Sequence, residues 1–339
     1  MKAIISPEPL AISSSRALVD VELPVPVPGP RDVLVEVRAV SVNPADAKVR
    51  KRTRPPGSSP VVLGWDAAGV VVRVGNDASR FSVGDEVYFA GDLTRPGANS
   101  QFCLVDERIV GPKPKSLDFA EAAAMPLTGL TVYEALFERM HVGRGDASLG
   151  KSLLVVGGAG GVGSMAIQVA KTATRATVLA TASREESKEW CRKLGADHVL
   201  DHRCELPSQL SDLGLSSVDF ILCTADTDPY FDLLTTLVAP QGVIAFIVPS
   251  TKPVDMAPLH TKSASVVWEL MFTRPRFQTS DMAEQGRILE ELGRSIDAGH
   301  IRTTMRDRRG PISARTLREA HAQIESGTTI GKIVLEGWS

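Results

Sequence analysis

The stretch that most constrains this chain is Leu153-Leu154-Val155-Val156 followed by Gly157-Gly158-Ala159-Gly160-Gly161-Val162-Gly163. The apolar run reads as a short buried strand, and an amphipathic pattern (Met165, Ile167, Val169, Ala170) opens a helix directly behind it. Gly158, Gly160 and Gly163 spell GxGxxG, while Gly157, Gly160 and Gly163 fit GxxGxxG. Glycines at these spacings allow a tight turn, close approach of backbone to a pyrophosphate, and close contact between helix and strand. The helix would aim free N–H groups and its positive dipole end at phosphates. Gly158, Gly160, Gly161, Val162 and Gly163 are therefore candidate nucleotide-cradling residues. The alternative is a glycine-rich turn that binds nothing, and the strand before it and helix behind it weigh against that.

Strand and helix patterns alternate around this loop. Strands are expected at 152–156, 176–181, 218–223 and 242–248, and helices at 163–171, 183–194 and 230–237. Such alternation implies crossover connections and a doubly wound parallel sheet. The first third differs: Val33–Val40, Gly69–Val74 and Ser82–Phe89 read as short strands between turns, as in a small barrel-like domain. Pro24, Pro26, Pro28 and Pro30 make an extended connector. Helices are expected at 128–140, 281–298 and 313–326, with a closing strand at 330–336 that returns to the first domain.

A length of 339 residues points to about two domains at roughly 150 residues each. The expected division is 1–125 with 270–339 for the β-rich catalytic domain, and 126–269 for the nucleotide domain. Lys and Arg number 38 against 40 Asp and Glu, a balance that argues against a nucleic-acid binder. Cys103, Cys191, Cys204 and Cys223 form no CxxC pair and read as buried or inert thiols in a reducing compartment. The first residues carry no long apolar segment, and no stretch approaches the roughly 20 apolar residues of a membrane span. A cytoplasmic protein is expected.

The strand Thr177-Val178-Leu179-Ala180 ends in Thr181-Ala182-Ser183-Arg184, without the carboxylate that holds a ribose 2′-hydroxyl in NAD-preferring sites. Ser183, Arg184 and Lys188 suit a 2′-phosphate instead, so NADPH is the expected cofactor. Ser183-x-x-Glu186 also fits a helix capping box, and the two roles can coexist.

The motifs Ala39-Val40-Ser41-Val42-Asn43-Pro44-Ala45-Asp46, Leu63-Gly64-Trp65-Asp66-Ala67-Ala68-Gly69, Phe81-Ser82-Val83-Gly84-Asp85, Ala124-Met125-Pro126-Leu127-Thr128-Gly129 and Gly331-Lys332-Ile333-Val334-Leu335 extend the pattern over nearly the whole chain. With the glycine loop, they resemble the medium-chain dehydrogenase/reductase superfamily. Within it, the chain is similar to the zinc-independent quinone oxidoreductase branch that includes zeta-crystallin, and to "zinc-type alcohol dehydrogenase-like" proteins. The resemblance implies an α/β protein with a GroES-like β-rich catalytic domain and a Rossmann domain. In the metal-dependent branch, a cysteine in the first motif and a Gly-His-Glu motif help hold zinc. Here the cysteine's place falls near Asn43, and Gly-His-Glu is replaced by Gly64-Trp65-Asp66. Residues 1–140 contain no histidine and a single cysteine, Cys103. A catalytic zinc takes three protein ligands, mostly His or Cys. No metal is expected.

Chemistry without a Lewis acid is hydride delivery to an electron-poor conjugated carbon, in a quinone or an α,β-unsaturated carbonyl. The resemblance implies that Asn43 lies near the nicotinamide, where its amide would donate to a developing oxyanion; its other reading is an Asn-Pro turn. Lys48 stands where relatives often carry tyrosine, as proton donor or oxyanion partner, or as a solvated lysine. Trp65 and Asp66 read first as structural. By resemblance, Thr128 contacts the nicotinamide or its ribose, His202 lies near the adenosine phosphate, and the backbone of Phe246 and Val248 meets the carboxamide. Their plainer readings are a helix N-cap, an exposed loop histidine and core. An enoyl thioester reductase and a nucleotide-binding protein with little turnover, crystallin-like or RNA-binding, are the alternatives. A homodimer is expected, with the strand near Gly242–Val248 pairing across a two-fold axis.

Overall fold

Strands fill the first hundred residues, where valine and isoleucine recur between turn residues. The computed structural model describes every residue except 54, 56–58 and 339. The strands are β1 (Lys2–Ser6), β2 (Val19–Glu22), β3 (Asp32–Val42), β4 (Val61–Val62), β5 (Ala67–Val74), β6 (Glu86–Phe89), β7 (Phe102–Asp106) and β8 (Val110–Pro112). Helix α1 (Pro44–Lys51) separates β3 from β4, and α2 (Phe119–Ala123) and α3 (Pro126–Tyr133) follow β8. The expected helix over 128–140 forms in two parts, because α3 loosens into a π-helical segment, Glu134–Arg139.

Alternation then begins: β9 (Ser152–Val156), α4 (Gly161–Ala173), β10 (Thr177–Thr181), α5 (Glu185–Lys193), β11 (His198–Leu200), α6 (Leu206–Asp212), β12 (Val218–Cys223), α7 (Phe231–Leu237), β13 (Val238–Phe246), α8 (Ala257–His260) and β14 (Ser265–Trp268). The chain closes with α9 (Thr273–Phe277), α10 (Glu284–Asp297), β15 (Met305–Arg309), α11 (Ala314–Glu325) and β16 (Lys332–Glu336). Two compact units result, Met1–Leu130 with Phe272–Ser339, and Thr131–Met271.

In the first unit, a seven-stranded sheet runs β15-β16-β3-β5-β6-β8, with β7 also on β3. The long strand β3 serves several partners. Its first half pairs with β7, its last four residues pair with β16, and β5 covers the other edge. Thus Ile333, near the end of the chain, lies opposite Val42, just before Asn43. Gly69 sits where β5 presses on β3, and a Cβ there would lie 2.1 Å from the Glu36 carbonyl oxygen.

In the second unit, all strand pairings are parallel and the order is β11-β10-β9-β12-β13-β14. This is the doubly wound order, with its switch point beside β9. Leu154, Val156, Ile221, Ile244 and Phe246 bury one sheet face against Phe231, Leu234 and Leu237 of α7. Phe231 and Phe246 stack at 5.6 Å. The strand expected at 242–248 begins earlier, at Val238, and lies inside the sheet rather than at its margin. The edge strand on that side is β14, where Trp268 is 48% exposed; β11 forms the other edge. Cys103, Cys191 and Cys223 are buried free thiols, and Cys204 is an exposed free thiol. Among the described residues, no helix is long and apolar enough to cross a membrane.

Alanine at Gly69 must push β5 off β3. Gly69→Ala is expected to cost about 1–3 kcal/mol of stability, the usual range for overpacking. Urea unfolding checks this, and an unchanged midpoint contradicts it.

Candidate active site

The glycine loop turns sharply after β9. Gly157 adopts φ +82°, its N–H donates to Thr181 Oγ1 at 2.9 Å, and Gly158 N–H donates to the Thr181 carbonyl at 3.0 Å. The tip of β10 thus holds the loop shut from one side, and Thr224 Oγ1 donates to the Val156 carbonyl at 2.8 Å from the other. A Cβ on Gly163 would lie 2.2 Å from the Gly157 carbonyl oxygen, and one on Gly158 would lie 2.7 Å from Ala180 Cβ. At Gly160 the nearest atom to such a Cβ is 3.6 Å away, so the loop's outer edge is open. Gly160 caps α4 without a side chain, leaving the first-turn N–H groups of Gly161, Val162 and Gly163 directed out of the helix end. These features fit a pyrophosphate.

Beyond the tip of β10, Ser183 is half-buried and Arg184 exposed. Helix α5 begins at Glu185 with Arg184 at its N-cap and no side-chain cap, so the Ser183 capping box does not form. Lys188 pairs with Asp201 at 3.0 Å. Arg203, which sequence reasoning passed over, donates to the Ser183 carbonyl and to Asp201, each at 2.8 Å. Hydrogen bonds from Arg203 hold the Asp201 carboxyl well below the usual range. His202 is exposed on the same loop. Arg203 was legible in principle, because loops after neighbouring parallel strands emerge side by side. The Phe246 carbonyl accepts from Glu269 N–H at 3.0 Å, and the Val248 carbonyl accepts from Thr227 Oγ1.

In the first unit, Asn43 joins β3 to α1 and is 1% exposed. Its backbone N–H donates to Asp46 Oδ2 at 2.7 Å, and Gly64 N–H donates to Asp46 Oδ1 at 3.0 Å. Its amide nitrogen donates to Asp66 Oδ2 at 3.0 Å and to the Ser41 carbonyl at 3.3 Å, so the amide is turned inward. The Asn43 amide oxygen accepts from Lys332 Nζ. That same ammonium donates to Asp66 Oδ2 at 2.8 Å and to the Val42 carbonyl at 3.4 Å. Asp66 Oδ1 accepts from Leu127 N–H at 2.9 Å, in the first turn of α3. Thr128 lies inside that turn rather than at its cap, buried, with its hydroxyl on the Met125 carbonyl at 3.3 Å. Trp65 donates to the Asp92 carbonyl at 3.2 Å and meets Phe272 edge-on. Lys48 is exposed on α1.

Asn43, Asp46 and Asp66 therefore come together, around a lysine that sequence reasoning left unassigned. Its signal was faint. Lys332 opens a strand whose next three residues, Ile333, Val334 and Leu335, are apolar and buried. The cluster does not fit a metal. Its centre is filled by an ammonium, its donors are oxygens, and no group of three or more His, Cys, Asp or Glu among the described residues is placed to hold an ion.

Burial pushes Asp46 up to about 7 from 3.8, outweighing its two backbone N–H bonds and the nearby Lys332 charge. Burial also raises Asp66, opposed chiefly by Lys332. A carboxyl raised on folding contributes stability that is complete below the unfolded value and lost as pH rises through the folded one. The stability margin of the native chain over Asp46→Asn is thus expected to shrink as pH rises from 5 to 8. Denaturant unfolding across that range measures it, and a widening margin contradicts the assignment.

The chain is similar to known proteins along most of its length. The alcohol dehydrogenase GroES-like domain family matches residues 29–126, and the zinc-binding dehydrogenase family matches residues 194–335. A zinc-type alcohol dehydrogenase-like protein of Staphylococcus aureus is 41% identical over 305 residues, covering 90% of each chain. The NADPH-dependent alkenal/one oxidoreductase of Arabidopsis thaliana is 31% identical over 311 residues, 89% of this chain and 71% of that one. A crystal structure from Rhizobium etli, classed with zinc-dependent alcohol dehydrogenases, is 49% identical with a TM-score of 0.95, covering 100% of this chain and 98% of the other.

Proposed function

Since the chain belongs to the zinc-type alcohol dehydrogenase-like proteins of the medium-chain dehydrogenase/reductase superfamily, we propose that it is an NADPH-dependent, metal-free reductase of α,β-unsaturated carbonyls and quinones. The observation that carries the reading is the donor set at Asn43 and Asp66. Where the metal-dependent branch places zinc ligands, this chain has an amide and a carboxylate already bonded to Lys332. An alcohol oxygen would find no Lewis acid there to make it an alkoxide, whereas an electron-poor double bond needs none. The Arabidopsis relative, named for alkenals and enones, supports the substrate class.

Bound NADPH supplies a hydride to the conjugated carbon, and one proton completes the saturated carbonyl or the hydroquinone. In the second unit, Gly158, Gly160, Gly161, Val162 and Gly163 receive the pyrophosphate at the N-terminus of α4. Ser183, Arg184, Lys188, His202 and Arg203 surround the place for the 2′-phosphate, and Phe246 and Val248 retain a backbone role toward the carboxamide. In the first unit, Lys48 is assigned to the proton or the developing oxyanion, and Thr128 to the nicotinamide ribose. The inward turn of its amide makes Asn43 part of the site's frame. We further assign the nucleotide domain to Thr131–Met271, a homodimer pairing through the β14 edge, and a cytoplasmic place of work.

NADPH oxidation is to be followed at its absorbance band with enones, quinones, enoyl thioesters and simple alcohols. Turnover is expected with the first two classes, and turnover with alcohols alone contradicts the proposal. Separately, alanine at Ser183 and Arg203 together is expected to weaken NADPH at least tenfold while NADH stays within threefold. Equal weakening of both dinucleotides removes the 2′-phosphate assignment.

A further inference from the structure

Three elements meet at the Lys332 ammonium. The end of β3 supplies the Val42 carbonyl and the Asn43 amide oxygen, and the residue before β5 supplies the Asp66 carboxylate. An ammonium has three protons and no acceptor capacity, so these three partners use all of it. Lys332 itself is 3% exposed, and β16 holds its backbone through Lys332 N–H on the Thr304 carbonyl at 2.9 Å. A second tie, from Ser41 Oγ to the Ile333 carbonyl at 3.1 Å, fixes β16 against the same end of β3.

Two of the partners, Asn43 and Asp66, each stand at a helix start. Asn43 precedes Pro44, the first residue of α1, and its backbone is bound by Asp46 in that helix's first turn. Asp66 accepts Leu127 N–H in the first turn of α3. The ammonium therefore fixes the beginning of α1, which carries Lys48, and the beginning of α3, which carries Thr128. It also decides which end of the Asn43 amide is which: the oxygen faces Lys332, and the nitrogen is left to Asp66 and Ser41.

We propose that Lys332 is a positioning residue of the reductase, an internal cation that stands between the two positions resembling metal ligands and locks the starts of α1 and α3 together. It touches no substrate. It holds the frame on which Lys48 and Thr128 are presented, and so this inference rests on the functional reading above. The buried pair alone gives no such assignment, because breaking one partner of any buried pair destabilises it. The distinctive feature is the trident of contacts. A guanidinium presents a planar fork and cannot direct three donors from one atom.

Two variants separate position from charge: Lys332→Arg, and the isoelectric pair Lys332→Met with Asp66→Asn. Neither leaves the Lys332–Asp66 pair with one charged partner alone. For each, the readouts are thermal unfolding, the NADPH dissociation constant by fluorescence, kcat and KM with the best enone or quinone, and exchange of the Asn43 side-chain amide protons. Selective [15N]asparagine labelling makes the last practical, since the native chain has only Asn43, Asn76 and Asn99 and the double variant adds one more, at position 66, assigned by comparison with Asp66→Asn alone. In the double variant, kcat is expected to fall at least tenfold, NADPH affinity to stay within threefold, and the Asn43 amide to exchange at least tenfold faster. Lys332→Arg is expected to fall between it and the native chain. A folded variant whose kcat stays within twofold of native overturns the proposal, whatever its exchange rate. If the double variant does not fold, Lys332→Arg alone decides by the same criterion. If the native chain reduces no enone or quinone, the functional reading fails by itself, and exchange decides the inference: unchanged protection of the Asn43 amide overturns it.

Discussion

Two buried carboxyl groups, Asp46 and Asp66, lie beside one buried ammonium in the first unit, which bonds Asp66 and acts on Asp46 through its charge alone. Charges taken out of water are costly unless paired and fully hydrogen-bonded. The surrounding structure meets that demand. Asp46 receives two backbone N–H groups, Asp66 receives one backbone N–H and an amide, and Lys332 spends its protons on three oxygens. These few groups tie the ends of β3 and β16, the residue before β5 and the starts of α1 and α3 to one point. Apolar packing supplies the driving force, but it is indifferent to direction. The polar cluster sets the register.

The nucleotide end works by a different constraint. There the backbone approaches itself so closely at Gly163 and Gly158 that no side chain fits. The result is a rigid turn whose outer edge carries N–H groups with nothing from its own helix to bond. The tip of β10 carries a charge pattern of its own. Arg203 and Lys188 converge on Asp201 beside Ser183, so two cations are gathered there by one carboxylate.

Periodicity made the second unit easy to read. Its strands at 152–156 and 218–223 have the expected bounds, because buried parallel strands are short apolar runs flanked by turns. Helix ends were read to within a few residues, since Ser313 and Gly299 mark a cap and a stop by local chemistry alone. The exceptions have physical causes. The break in α3 at Glu134 leaves no trace in an apolar pattern that suits both halves, and β13 starts at Val238 although Pro240 and Gly242 argue locally against a strand. The catalytic unit was legible only in pieces. Asn43 and Asp66 stood out as substitutions within motifs, but their partner lies 289 and 266 positions further along, and no local rule reaches that far. Arg203 was hidden for a milder reason, being next to residues already singled out on a loop whose neighbour is decided by sheet order.

That separation along the chain bears on how the molecule is made. The unit holding Asp46 and Asp66 is interrupted by the whole of Thr131–Met271. During synthesis the interrupting piece is complete, and free to fold as a contiguous body, while the earlier piece still lacks β16 and its lysine. Until residue 332 leaves the ribosome, those acids have no internal counter-ion and are better left in water. Strand β16, made after β3 and β5, therefore brings the counter-ion that those earlier strands lack, from far downstream in the chain.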